Sequence, residues 1–242
     1  MVKVQNESHK DLFALKEQYL SAENIYKRLI NAGFTPAGAC GMLGNLKAES
    51  DLRANNLQNT YEKKLGFVDE LYTAAVNNGT YKNFTTDGAG YGLAQWTYGP
   101  RKRNLLNFAA KRGASIDDEN MQVDFAIHEL TTEYAPLLAF LRSTDDLYTA
   151  TERICKEFER PAANNVDRRY AFAVEFYNQF AGASVEPKTD TTETTNAWFP
   201  PDLSILVLQA VLVGNGYNTD ITGYKNAHFL KTLRQFVTDI GG

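Results

Sequence analysis

The chain has 242 residues, 43% of them hydrophobic and 22% charged, with a formal net charge of −4. That composition excludes disordered and fibrous proteins, and the presence of only Cys40 and Cys155 excludes a disulfide scaffold or a cysteine-cluster zinc finger. A nucleic-acid binder would need a local basic patch against that charge, and the longest strongly apolar run, LSILVLQAVLV at 203–213, is short of the ~20 residues that span a bilayer. His9, His128 and His228 are far apart and form no HExxH or HxH pattern, so no metal or cofactor is expected. The first residues, MVKVQNESHK, contain no apolar stretch of signal-peptide type, so synthesis in the cytoplasm without an export signal is expected.

The elements read as helices almost throughout. Residues 1–20 form an N-terminal extension. Ser21 is placed to cap a helix carrying Tyr26, Leu29 and Ile30 on one face, and Gly33 ends it. Thr35-Pro36 opens the next helix with a cap and a first-turn proline; it carries Leu43 and Leu46 and ends near Glu49-Ser50. A further helix is expected over 62–76. Residues 77–99 hold Asn-Asn-Gly, DGAGYG and Tyr-Gly-Pro, a long loop of the kind that moves or carries function. Pro100 starts a helix that Gly113 stops.

The stretch 117–134 has apolar lines on two sides and should be well buried. Asp145 or Asp146 caps a helix through Ile154 and Phe158 that Pro161 stops. The last helix of this region, 167–180, carries Tyr170, Phe172, Phe176, Tyr177 and Phe180 and ends at Gly182. Residues 182–197 have linker composition, rich in Thr and charge. The tail, 198–242, reads as two short helices flanking Gly-Asn-Gly-Tyr and Ile-Thr-Gly-Tyr.

Two motifs carry chemistry. Glu49, in GNLKAESDL, lies three residues after Leu46, at the edge of a buried helix face. It also lies in the last helical turn, where unpaired carbonyls make the field negative. Both features disfavour the charged carboxylate, as a general acid requires. The second motif is GAGYGLAQWT at 88–97. Its glycines let backbone approach a ligand closely. Tyr91 and Trp96 offer flat faces to sugar rings, and Gln95 and Thr97 offer donors and acceptors to hydroxyl and N-acetyl groups. Asp87 precedes this run as a second carboxylate. Arg101-Lys102-Arg103, in the first turn of a helix, oppose its macrodipole; Arg101 is the candidate to meet a substrate carboxylate, the plainer reading being a face partnered by nearby acids. Cys40 with His128 as base is a weaker thiol alternative.

Ala-Glu-Ser at a helix end, followed some forty residues on by Gly-Leu-Ala-Gln-Trp-Thr, resembles the lysozyme-like muramidases, most closely the phage tail lysozyme family. TPAGACGMLGNLKAESDL, GYGLAQWTYGPRKRNLLNFA and FERPAANNVDRRYAFAVEFY carry the resemblance, which covers about residues 21–181. It implies a mainly α, lysozyme-like catalytic domain. It also implies cleavage of the β-1,4 bond between N-acetylmuramic acid and N-acetylglucosamine in peptidoglycan, with Glu49 at the catalytic glutamate's position. Asp87 stands just before GYGLAQ, much as an acidic residue does in goose-type lysozymes. Those enzymes also carry an Asp where Thr97 stands here, so the water-activating group is not assigned, and a lytic transglycosylation without a second carboxylate is the variant. In the tail, Leu208-Gln209, Leu212, Gly216-Tyr217, Asp220, Gly223 and Phe236 resemble a small peptidoglycan-binding module, although Val237 stands where that pattern has Gln. The contrasting reading is a non-catalytic wall-binding tail protein that keeps a degenerate lysozyme fold.

Overall fold

A computed structural model describes residues 2–161, 165–182 and 235 of the chain. The chain divides into a compact unit, Ser21–Val185, and a second one combining Met1–Leu20 with Glu186–Gly242. The tail module and the linker expected from the sequence lie outside the described residues, apart from Gln235 and the first residue of the linker, Gly182. Among the described residues the fold is mainly α, with helices and no named strand. No described helix is long and apolar enough to cross a membrane.

Helix α1, Val2–Asn31, is continuous. The expected start at Ser21 is not there: no Gly or Pro interrupts residues 2–20, and the Ser21 hydroxyl bonds Glu119 rather than capping a helix. Gly33, at φ 88°, ends this stretch as expected.

Helix α2, Pro36–Ser50, is the axis of the unit. The Thr35 side chain caps it by accepting from Gly38 N at 3.0 Å. Its residues from Ala37 to Leu46 are all buried, because its neighbours surround it. Glycines three apart on α2 each admit a different neighbour: a Cβ would sit 2.2 Å from Leu141 O at Gly38, 3.1 Å from Ala150 Cβ at Gly41 and 2.4 Å from Arg169 O at Gly44. A side chain at these places would push the surrounding helices away.

The single helix expected over 62–76 is two, α3 (Asn59–Leu65) and α4 (Asp69–Asn77), because Gly66 turns left-handed at φ 74°. No helix interrupts the loop that follows. Helix α5, Gly99–Arg112, stops at Gly113, and α6, Glu119–Thr132, is capped by Asp118. A short helix, α7 (Ala135–Leu141), follows at once and was not expected; Pro136 sits in its first turn.

Asp146 caps α8, Leu147–Arg153. The chain then widens into a π-helical turn, Ile154–Glu159, before Arg160 turns left-handed at φ 51° and Pro161 breaks the helix. Helix α9, Val166–Phe180, closes the unit by packing along α2.

Candidate active site

The end of α2 and the glycine-rich loop are tied together by hydrogen bonds. Ser50 Oγ donates to Leu93 O at 2.8 Å. Gln122, wholly buried on α6, accepts from Leu93 N at 2.8 Å and donates to Ala54 O at 2.7 Å and Ile116 O at 2.6 Å. Gly92 N donates to Asn56 O at 2.9 Å. The loop is thus fixed beside Glu49 by groups far from it in sequence.

A groove of about 960 Å³ opens there. Its lining includes Glu49, Gln95, Thr97, Tyr98, Arg101, Tyr134, Glu159 and Arg160. That volume is in the range of small-molecule and saccharide sites. Glu49 is reached from α9: Arg169 Nη2 donates to Glu49 Oε1 at 2.5 Å, in a pair whose side chains are only 18% and 7% exposed. Arg169 Nη1 lies 3.2 Å from Asn45 Oδ1, and Asn45 is held in turn by donating to Gly41 O at 2.8 Å and Thr151 O at 3.1 Å. This cation lies 120 residues from Glu49, and no local signal around GNLKAESDL announces it.

Glu159 faces the same groove from the end of the π turn. Its Oε1 is shut off from solvent and has no hydrogen-bond partner. Burial, reinforced by the negative charge of Glu49, pushes this carboxyl well above the ordinary glutamate range, with Arg101 and Arg169 pulling the other way. The groove therefore contains a carboxyl beside a guanidinium and a second carboxyl whose charged form is disfavoured by its surroundings. A carboxyl whose charge is disfavoured, in one groove with a carboxylate paired to a cation, is an arrangement in which acid and carboxylate roles can be divided.

The other expected site residues fall into two groups. Gln95, Thr97 and Arg101 line the groove with Glu49. The Gln95 amide nitrogen is already committed, donating to Asn56 O at 3.0 Å and Gly92 O at 3.1 Å, which ties the side chain to the loop. Thr97 is exposed and donates to Gln95 O at 2.9 Å. Arg101 does not stand free for a substrate carboxylate. It makes a two-pronged pair with Glu129 at 2.7 and 2.8 Å and lies over the Phe158 ring at 4.7 Å. Burial opposes the Arg101 charge, but the Glu129 pair outweighs it and raises the guanidinium.

Asp87, Tyr91 and Trp96 are not among the groove's lining residues. Asp87 is a buried anion with both oxygens occupied: Oδ1 accepts from Lys102 Nζ at 2.7 Å and Ala89 N at 3.0 Å, Oδ2 from Tyr72 OH at 2.5 Å and Tyr81 OH at 3.2 Å. Lys102 also donates to Ala89 O at 2.8 Å; burial pushes its ammonium below the ordinary lysine range, and Asp87 offsets only part of that. Asp87 thus anchors the loop from behind rather than meeting substrate. The platform roles expected for Tyr91 and Trp96 do not fit either. Tyr91 is wholly buried with its hydroxyl 2.6 Å from Thr73 Oγ1, and Trp96 is 1% exposed with Nε1 donating to Glu129 at 2.8 Å. The exposed ring at the groove is Tyr98, 68% accessible, with Tyr134 half-buried nearby.

The thiol alternative lacks its parts. Cys40 is fully buried in α2, which pushes its thiol far above the usual range, and His128 stacks on Phe108 at 5.3 Å on the exposed side of α6.

The sequence profile of the phage tail lysozyme family matches residues 21–180. The chain belongs to the phage tail lysozyme family. The match spans the helices that build the groove, from the compact unit's first residue in α1 to the end of α9. A curated relative, Morphogenesis protein 1 of Bacillus phage B103, is 25% identical over 197 residues, covering 78% of this chain and 46% of the relative. The chain therefore spans about half the length of that relative. Glu159, Arg160, Tyr98 and Tyr134 are among the groove residues not expected at the site from the sequence, and Arg169 reaches the site through its pair with Glu49. Glu159 stands at the start of FERPAANNVDRRYAFAVEFY, directly before the helix-breaking Arg160-Pro161, and that position is its local signal in the sequence.

Proposed function

We propose that this chain is a peptidoglycan glycosidase that cleaves the β-1,4 bond between N-acetylmuramic acid and N-acetylglucosamine, as part of a phage lytic or virion-associated machinery. The observation that carries this reading is the placement of Glu49 at the end of the buried α2, facing the groove, with a second carboxyl, Glu159, in the same lining. Family membership supports the substrate class.

In this reading Glu49, once protonated, gives its proton to the leaving glycosidic oxygen as the bond to C1 breaks. The sugar passes through an oxocarbenium-like state. Giving up that proton leaves the Glu49 carboxylate, whose negative charge stabilises that state. Tyr98 gives a sugar ring a flat, exposed face, and Arg160, exposed at the rim with Nε donating to Glu157 O at 2.8 Å, offers its remaining donors to a stem-peptide or lactyl carboxylate. Asp87 is left out of the chemistry because its oxygens are already used. The attacking oxygen comes from water in hydrolysis, or from the substrate's own 6-hydroxyl in a lytic transglycosylation. The tail from residue 198 to 242 would add affinity for the wall by raising the local concentration of the catalytic unit.

The test is clearing of a cell-wall suspension by the wild-type chain and by Glu49→Gln, with folding checked by circular dichroism. Loss of clearing in a folded Glu49→Gln supports the assignment. The relative's name, a morphogenesis protein, favours a second reading, a tail component that keeps the fold without the chemistry. Absence of clearing by both proteins, or equal clearing, would remove Glu49-dependent glycosidase action.

A further inference from the structure

Glu49 is ion-paired where a proton donor should be neutral. Three observations bear on this. Arg169, which makes that pair, has a second donor, Nε, that is buried without any partner. Glu159 has an acceptor, Oε1, that is buried without any partner. Buried polar atoms are nearly always satisfied, so an orphan donor and an orphan acceptor in one site call for an explanation. Third, Glu159 is delivered by a π turn, a wider and less stable turn than the α-helix, and one that recurs at functional sites. The widened turn still buries Ile154, Cys155 and Phe158, so it is anchored while its last residue projects at the groove.

We propose that Glu159 is a positioning residue for Glu49: the two carboxyls share one proton and one guanidinium, and transfer of Arg169 from Glu49 to Glu159 leaves Glu49 in its proton-donating form. This rests on the reading of Glu49 as the proton donor. In the resting arrangement the proton is on Glu159 and Arg169 holds the Glu49 carboxylate. In the exchanged arrangement Glu159 is the carboxylate, accepting from Arg169, and the proton is on Glu49. Net charge is the same in both, so the exchange adds no charge to the buried site. The reaction then breaks the Glu49 O–H and the C1–O bonds. The electron pair goes to the leaving oxygen, which takes the proton, and the hydroxyl that attacks C1 returns its proton to the pair.

The charged groups that act on Glu159 come from four helices: Glu49 on α2, Arg101 on α5, Glu129 on α6 and Arg169 on α9. Arg101 and Glu129 are already bound to each other, so Arg169 is the cation with a donor to spare.

The experiment compares the wild-type chain with Glu159→Gln and Glu159→Asp on purified wall sacculi, measuring kcat and KM across pH. Glutamine matches the neutral resting carboxyl in shape, but it cannot take the guanidinium's charge. Glu159→Gln should lower kcat by about 100-fold, the lower end for a proton-transfer device, with KM little changed. Its alkaline limb should move to lower pH, because Arg169 then stays on Glu49. Glu159→Asp should recover part of the rate and of the limb. Wild-type kcat and limb in folded Glu159→Gln would overturn the proposal. So would a loss equal at every pH that Asp does not rescue. Carboxyl 13C NMR titration of the wild-type chain is the second measurement, independent of the variants' folding. Glu49 and Glu159 should each respond to the other's step, and two independent titrations would overturn the exchange. A folded Glu49→Gln that still clears walls would instead remove the glycosidase reading itself.

Discussion

Replacing Asp87 with alanine leaves the Lys102 ammonium buried against Phe84 with no anion. The pair is sealed in the core, its side chains 0% and 2% exposed. Lys102 would keep only Ala89 O and Tyr72 OH, and those two tyrosine hydroxyls that now point at Asp87 would lose their acceptor. Removing one partner of a buried ion pair costs about 3–5 kcal/mol. For a domain of this size each kcal/mol shifts the melting temperature by about 2–4 °C, so a fall of roughly 6–20 °C is expected. Thermal unfolding followed by circular dichroism measures it. The double variant Asp87→Ala with Lys102→Met should recover much of the loss, since an apolar pair can replace a buried salt bridge at little cost. Wall clearing per folded molecule, measured well below the melting transition, should stay within about twofold of wild type for the double variant, within the scatter of a change remote from the groove. A fully stable Asp87→Asn that no longer clears walls would refute this reasoning and return Asp87 to the chemistry.

Three further outcomes follow from the same geometry. The raised Glu159 carboxyl means the folded state holds a proton that the unfolded chain releases, so its contribution to stability is present below the ordinary glutamate value of ~4.3 and is lost as pH rises through the raised one; Glu159→Gln should remove this loss, by at most about 1.4 kcal/mol per pH unit, and a pH-independent difference in melting temperature would contradict it. Gly44→Ala would set a Cβ 2.4 Å from Arg169 O and 2.8 Å from Ala173 Cβ, so its urea midpoint should fall by the equivalent of about 1–3 kcal/mol or more, and an unchanged midpoint would show that α9 yields freely. Tyr98→Ala removes an exposed ring, so stability should change by no more than about 0.5 kcal/mol while KM for wall fragments rises about 2- to 10-fold; an unaltered KM would remove Tyr98 from the binding surface.

Much of the helical frame was legible because its signals are local. Thr35-Pro36 starts α2, Gly33 and Gly113 end helices, and Asp146 caps α8, all through contacts within a few residues. Misplaced boundaries have equally local causes: α1 runs through Ser21 because nothing breaks it, and Gly66 splits a helix whose apolar spacing looked continuous. The site divides differently. Glu49, Gln95 and Thr97 stand in two motifs and Arg101 in the basic run that follows the second, and all four line one groove. Tyr91 and Trp96 were chosen as platforms because a flat ring in a glycine-rich loop suits a sugar. It suits a core equally well, and the partners that decide the matter, Thr73 and Glu129, lie 18 and 33 residues away. The same holds for Asp87, whose Lys102 is 15 residues on, and for Arg169, which is 120 residues from Glu49. Buried charge pairs are set by tertiary contacts, and no periodicity in the chain announces them.

Mass spectrometry of the fragments that the wild-type chain releases from purified sacculi addresses the glycosidase assignment at the bond itself. Muropeptides cut between N-acetylmuramic acid and N-acetylglucosamine, with reducing ends for hydrolysis or anhydro ends for transglycosylation, and absent when Glu49→Gln is used, are the expected result. Intact glycan strands released by peptide or amide cleavage, or the same sugar fragments from Glu49→Gln, would contradict it.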